Sequence, residues 1–247
     1  MKVTTTLALC LGLVSVAPIE ANAQDGSWDY EASIYLFMTE TNTSITSPTQ
    51  QIDATLSFSD ALDNLDFAFM GAFSASNGRW SFIADYMVTD VSFGNATPGP
   101  AFSSLDTAVK TQIFNGYAAY RVYQDPKTAV DLGAGFRWYK TDTDFTLQPG
   151  TMPGGTTSVG DDWVDPLIAV RARMQFNDRW SGTAFADYGG FESGSDTWQV
   201  LLTADYALND NWLLRGGYRY IEVNHNINGS AYEFDQSGPI FGATYRF

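Results

Sequence analysis

The sequence predicts an all-β chain that folds as a transmembrane, antiparallel up-and-down β-barrel of ten strands, with eight or twelve as the alternative counts. Three observations carry this. Apolar and polar residues alternate through segment after segment, tight turns alternate with long connections, and an export signal opens a chain that closes on an aromatic strand ending at Phe247. Val130, Leu132, Ala134, Phe136 and Trp138 share one face of 128–140, opposite Asp131, Gly133, Gly135, Arg137 and Tyr139. In 164–176, Val164, Ile168, Val170, Ala172, Met174 and Phe176 oppose Asp165, Arg171, Arg173 and Gln175. Trp198, Val200, Leu202, Ala204, Tyr206 and Leu208 oppose Thr197, Gln199, Thr203 and Asp205. A helix would need apolar spacings of three and four, which these segments lack. Strands of 9–14 residues suit a tilted bilayer crossing better than a soluble sandwich.

The tight turns are Ser76-Asn77-Gly78-Arg79-Trp80, Gln124-Asp125-Pro126-Lys127, Asn177-Asp178-Arg179-Trp180 and Asn209-Asp210-Asn211-Trp212. Asn-Gly and Asn-Asp favour hairpins because they tolerate positive φ. Three of the four turns place a tryptophan directly after them, where an interfacial aromatic belt belongs. Longer connections near 92–108, 142–162, 190–196 and 224–234 carry Gly, Pro, Ser, Thr and acids. This asymmetry predicts periplasmic turns at 77–78, 125–126, 177–178 and 209–210, and external loops near 97, 152 and 229. Crossings are expected near 28–39, 66–76, 79–91, 109–123, 127–141, 163–176, 179–190, 196–208, 211–223 and 236–247. With both ends periplasmic the count should be even. The stretch 40–65 is left as an external excursion, with a short capped helix at 59–65. Two repeats run through the crossings: Ala-Asp-Tyr at 84–86, 186–188 and 204–206, and Gly135-Phe136-Arg137-Trp138 echoed by Gly217-Tyr218-Arg219-Tyr220.

The ends and the composition set further bounds. Lys2, the apolar run Leu7 to Val16 and the small-x-small site Ala21-Asn22-Ala23 predict a secretory signal peptide over 1–23, cleaved before Gln24, leaving a barrel domain over 24–247. That apolar run is too short to span a bilayer as a helix, and no other stretch is long enough. Cys10, the single cysteine, lies inside the signal, so no disulfide supports the mature chain. The net charge of −15 excludes nucleic acid as a partner, because phosphate binding needs a basic surface.

The last strand alternates Phe241, Ala243, Tyr245 and Phe247, expected to face lipid, with Gly242, Thr244 and Arg246, expected to face inward. Gly242, Tyr245 and Phe247 resemble the C-terminal insertion signal of outer-membrane barrels; Ile240 departs from the polar residue expected near its start. Beyond this, 28–247 resembles a family of uncharacterised proteobacterial outer-membrane barrels, porin-like and small. The carriers are Asp60-Ala61-Leu62-Asp63-Asn64-Leu65-Asp66, Trp163-Val164-Asp165-Pro166, Gly189-Gly190-Phe191, Gly194-Ser195-Asp196 with Trp198, Gly217-Tyr218-Arg219-Tyr220, and Gly238-Pro239. Glu192 stands where the resemblance would place a glycine. The resemblance implies a barrel in the cell outer membrane of a Gram-negative bacterium. Its implied partners are membrane lipid, lipopolysaccharide and the barrel-insertion machinery. It implies no activity.

Alternation sends Glu31, Asp85, Arg121, Asp131, Arg137, Asp165, Arg171, Arg173, Asp187, Asp205, Arg215, Arg219 and Arg246 to the interior, with Lys110 and Lys140 outside near strand ends. A charge facing lipid at the midplane would cost about 2–4 kcal/mol, so an inward network is expected. Arg137, Arg171, Arg173, Arg215 and Arg219 are expected to pair with Asp85, Asp131, Asp165, Asp187 or Asp205 across neighbouring strands, since unmatched like charge in a confined space is costly. Two readings stay open: a narrow conduit passing small solutes, with charge setting selectivity, or an interior plugged by Arg–Asp cross-links. No enzyme is expected, and no cofactor or metal, because nothing has metal-ligand spacing. The alternative from another class is a surface hydrolase, a protease or lipid-modifying enzyme, using His225 in the last long loop with acids such as Asp161 and Asp162. His225→Ala is expected to leave the barrel unchanged, because no motif surrounds this lone histidine.

Overall fold

The computed structural model describes residues 27–47, 51–192, 194–227 and 229–247, so the expected signal peptide lies outside the described residues. Twelve strands and one helix follow in order: β1 (Asp29–Phe37), β2 (Glu40–Thr46), β3 (Gln51–Leu56), α1 (Phe58–Asp63), β4 (Leu65–Ser76), β5 (Trp80–Ala96), β6 (Phe102–Gln124), β7 (Thr128–Pro149), β8 (Gly155–Gln175), β9 (Trp180–Glu192), β10 (Ser195–Ala207), β11 (Trp212–Ile227) and β12 (Ser230–Arg246). Ten of the strands, β1 and β4 to β12, close into an antiparallel ring, with β12 returning to β1 from Glu31↔Arg246 to Phe37↔Ile240. Closure leaves no open edge in the ring, the condition a sheet must meet inside lipid.

The remaining two strands explain the stretch left over by the sequence. β2 continues β1 along the far half of β12, from Glu40↔Ser237 to Thr46↔Ala231, and β3 folds back on β2. The helix occupies Phe58–Asp63 rather than 59–65, capped by the Ser57 hydroxyl, which accepts from the Asp60 amide at 3.1 Å. Because β2 and β3 extend beyond the ring, the number of crossings stays at ten.

The long connections turn out to be mostly strand. Of 92–108 and 142–162, only 97–101 and 150–154 lie outside strands. The Thr-rich alternation of Thr141 to Leu147 keeps the backbone paired beyond the apolar band, and the Gly, Pro and acidic residues disguised this in the sequence. β6 reaches 23 residues, whereas a tilted crossing needs about 9–11. About half of it therefore stands beyond lipid. The β8–β9 ladder stops at Leu167↔Gly189. Pro166, which has no N–H to donate, stands where the two strands part.

The four tight turns share one construction. The side-chain oxygen of Asn77 accepts from the amides of Arg79 and Trp80, that of Asn177 from Arg179 and Trp180, that of Asn209 from Asn211 and Trp212, and Asp125 Oδ1 from Lys127 and Thr128. Only Gly78 among these turn residues has positive φ, so side-chain capping rather than left-handed backbone defines the turns. The Lys127 amide, then the Tyr123 hydroxyl and the Thr128 amide, hold the Asp125 carboxyl below the usual carboxylate range. A depressed folded pKa means this cap contributes fully above about pH 4 and is lost as pH falls through the folded value. Trp80, Trp180 and Trp212 lie outside against Tyr120, Tyr206 and Tyr245, with ring centroids 5.0 Å apart in each pair.

The outer face of the ring is apolar, with Ile34, Phe73, Phe82, Leu132, Phe136, Ile168, Leu202 and Phe241 exposed all round it. So large a continuous apolar surface on a closed, polar-filled ring is a lipid-facing band. Single cysteines at 178, beside a tight turn, and at 152, in the opposite loop set, test the orientation in intact cells. Labelling from outside is expected at 152 only; labelling at 178 alone would invert the arrangement.

Candidate functional site

The two sequence repeats meet in the middle of the barrel. Ala-Asp-Tyr sends Asp85, Asp187 and Asp205 inward, and the Gly-aromatic-Arg-aromatic motif does the same with Arg137 and Arg219. Glycine two residues before each arginine lets strands close in: a Cβ on Gly135 would lie 2.1 Å from the Gly116 carbonyl oxygen, and one on Gly217 2.0 Å from that of Leu202. The arginines so placed are 0% and 2% exposed.

They belong to a closed circuit of six side chains. Arg137 donates to both oxygens of Asp187 at 3.0 Å, and Asp187 accepts from Gln199 at 2.5 Å. Gln199 Oε1 accepts from Arg219 Nε at 3.0 Å, and Arg219 donates to Asp85 at 2.9 Å. Asp85 accepts from Asn115 at 3.2 Å, whose oxygen accepts from Arg137 Nε at 2.8 Å and closes the circuit. Tyr117 donates to Asp187 at 2.6 Å, Tyr35 donates to Asp85, and Arg137 donates to the Thr197 hydroxyl. Two cations and two anions make the circuit neutral, and its carboxylates and guanidinium groups are satisfied, the condition under which a buried polar network stabilises.

These pairs cross the lumen and do not join neighbouring strands, as the sequence had suggested. Arg137 on β7 reaches β9, and Arg219 on β11 reaches β5. Asp165 lies directly opposite Arg137 in register on β8, yet takes no guanidinium. Its oxygens accept from the Trp163 indole at 3.0 Å and the Ser195 hydroxyl at 3.3 Å. In a narrow ring an extended arginine points toward the axis, where Asp187 waits, and the wall neighbour is left to shorter donors. Asn115, Gln199, Tyr35 and Tyr117 were not singled out from sequence. Inward parity marks all four, but neutral polar side chains draw no notice without their partners.

On the short-turn side of the circuit lies a second group. Asp131 accepts from Arg121 Nε and from Arg171 at 2.7 and 2.9 Å, with Arg173 more distant at 3.7 Å. Arg215 pairs with Asp205 at 2.5 Å on the adjacent strand, and Arg246 with Glu31 at 2.9 Å. These groups line or back a cavity of about 630 Å³ that opens between the tight turns. Among the pairings expected from sequence, those of Arg171 and Arg215, with the longer contact of Arg173 to Asp131, join adjacent strands.

On the other side the lumen is filled by Phe37, Met70, Met87, Ile113, Tyr139, Trp163, Ile221, Val223, Tyr232 and Phe234. Tyr139 and Tyr232 join their hydroxyls at 2.9 Å across the mouth. His225, expected in a loop, lies in β11 and stacks on Trp163 with centroids 4.1 Å apart. Its Nδ1 is 3.0 Å from Ser195 Oγ, and it makes no bond to Asp161 or Asp162. His225→Ala therefore removes a stack and a hydrogen bond, and the expectation of no effect gives way to a loss of about 1 kcal/mol of stability. Lys140 pairs with Asp142 at 3.2 Å on the outer face, but β7 runs on to Pro149, so the lysine expected near a strand end lies within the strand.

The sequence matches no protein-family model and no curated protein. Solved structures resemble it. The outer-membrane protease OmpT from Escherichia coli matches with a TM-score of 0.61 at 11% identity, over 92% of this chain and 99% of that one. The fold is that of an outer-membrane β-barrel. Ail, the attachment invasion locus protein of Yersinia pestis, is a looser likeness (TM-score 0.41, 10% identity, 89% of this chain and 98% of that one). The toluene transporter TodX of Pseudomonas putida is looser still (0.35, 9%, 91% and 90%). At such identities the likeness establishes architecture and leaves chemistry to the site itself.

Proposed function

We propose that the protein is an integral outer-membrane barrel whose interior is sealed, a structural barrel without catalytic activity rather than a pore. The observation that carries this reading is the neutral circuit of Arg137, Asp187, Gln199, Arg219, Asp85 and Asn115 across the lumen, capped on one side by the aromatic cluster. A hydrated ion crossing it would have to separate buried guanidinium–carboxylate pairs, each costly to break. Lipid, lipopolysaccharide and the insertion machinery remain its partners in this reading. The last of these rests on the resemblance to an insertion signal carried by Gly242, Tyr245 and Phe247 in the closing strand. Proteoliposomes carrying the refolded barrel are expected to swell in a neutral sugar no faster than empty vesicles. Swelling that rises with protein content would contradict the proposal.

A second reading, a surface hydrolase, draws on Ser195 and His225, and on the neighbour OmpT being a protease. Its weakness lies in the order of contacts. A nucleophile–base pair works when the acid orients the base, whereas Asp165 meets the serine and the described residues give His225 no carboxylate partner. Peptide and lipid hydrolysis assays, run with lipopolysaccharide present, should be blank. Turnover abolished by Ser195→Ala and His225→Ala alike would establish this second reading instead.

A further inference from the structure

The cavity at the short-turn end contains donors that the protein does not satisfy. Arg121, Arg171 and Arg173 converge on Asp131, so three guanidinium groups share one carboxylate. Arg121 and Arg171 take its two oxygens by hydrogen bonds, and Arg173 stays 3.7 Å away. Among the described residues Arg173 makes no hydrogen bond: its Nε is buried without a partner, while its side chain is 39% exposed in the cavity. The Thr203 hydroxyl, also lining the cavity, is buried without a partner as well. These two unused donors lie in one row of the wall, since Arg173 on β8 faces Thr183 on β9, which faces Thr203 on β10. Glu31 is already held by Arg246, and Asp205 by Arg215. Asp29 and Asp210 line the cavity at its rim.

Around Asp131 three guanidinium groups share one carboxylate, and this local excess of positive charge, inside a chain of net charge −15, is an arrangement for holding a negative charge. Buried donors without partners are rare and call for an acceptor. A fork of arginine N–H groups fits two coplanar oxygens and a hydroxyl can supply a third bond, which specifies a carboxylate or phosphate group. We propose that this cavity binds a small oxyanion, held by Arg173 and Arg171 with the Thr203 hydroxyl, entering from the end that carries the tight turns. The site goes beyond the sealed-barrel reading and does not depend on it, because a cup open at one end binds without conducting.

The test is calorimetric titration of the refolded barrel, in uncharged detergent, with inorganic phosphate and separately with acetate. Saturable binding at one site per chain is expected for at least one of the two, which also tells phosphate from carboxylate recognition. Arg173→Gln should weaken it by about tenfold or more and Thr203→Val by a smaller factor, as loss of a charged and a neutral bond respectively. Arg173→Lys, which keeps the charge without the fork, should fall between wild type and Arg173→Gln. Arg179→Gln, in an exposed turn, is the control and should bind as wild type does. Heat-modifiable gel migration verifies that each variant is folded. Folded wild type that takes up neither ion, or affinity unchanged in both Arg173→Gln and Thr203→Val, would overturn the proposal.

Discussion

Arg137→Ala should be among the costliest single substitutions in the barrel. Asp187 would keep Tyr117 and Gln199 as donors but lose its cation, and Asn115 and Thr197 would each lose a bond. Removing one partner of a buried pair costs about 3–5 kcal/mol, because the other charge stays behind in a low-dielectric site. The readout is the temperature at which the folded species disappears in heat-modifiability gels. Asp187→Asn should cost a similar amount. The double variant should recover part of the loss, since a cycle across a paired site is not additive. Additive losses would mean that the two side chains act separately and that the circuit is not a unit.

The second large effect is expected at Asp131. Asp131→Asn leaves Arg121, Arg171 and Arg173 facing one another without the carboxylate they share. Its cost should again reach about 3–5 kcal/mol, and high salt should soften it because the group opens on the cavity. The arginines around it should then differ from each other. Arg171→Ala removes two bonds to Asp131 and one to Ser81, and should lower the melting temperature. Arg173→Ala removes no hydrogen bond and relieves like charge, so stability should hold or rise. The sequence treated these two arginines as equivalent, and equal losses would restore that view.

How far the sequence could be read follows from what alternation encodes. Parity alone places Asp85, Arg137, Asp187 and Arg219 inside, because a period of two settles a face without knowledge of the partner. The closing strand, the turn positions and the count of ten crossings were legible for the same reason: each is local. Partner identity is not local. Arg137 meets Asp187 two strands away and not Asp165 beside it, and only the ring's curvature and width decide between them. Asn115 and Gln199, which join the two ion pairs, carry no charge to attract attention. The extended hairpins beyond the lipid band were hidden by composition, since Gly, Pro and Asp read as loop while the backbone of 141–147 and 155–160 is paired. His225 shows the limit from the other side: it is held in β11 by the ladder with β12, opposite Tyr232, and its ring meets Trp163 from a strand far off in sequence.

The repeats gain a physical meaning from the structure. Each Gly-aromatic-Arg-aromatic motif supplies a buried arginine, and two of the three Ala-Asp-Tyr motifs supply the carboxylates that receive them. The third, at Asp205, pairs with Arg215 on the adjacent strand nearer the short-turn end. One strand design, reused around the ring, thus provides both halves of the seal and sends its tyrosines outward to the lipid-facing surface.

The central claim, that this circuit and the aromatic layer close the lumen, is tested most directly by planar-bilayer recording of the purified, refolded barrel. Heat-modifiable migration verifies that the preparation is folded, and co-flotation with lipid vesicles verifies that it inserts. Wild-type protein is expected to leave the bilayer resistance unchanged at either polarity. Reproducible unit steps of ohmic current from wild-type protein would contradict it.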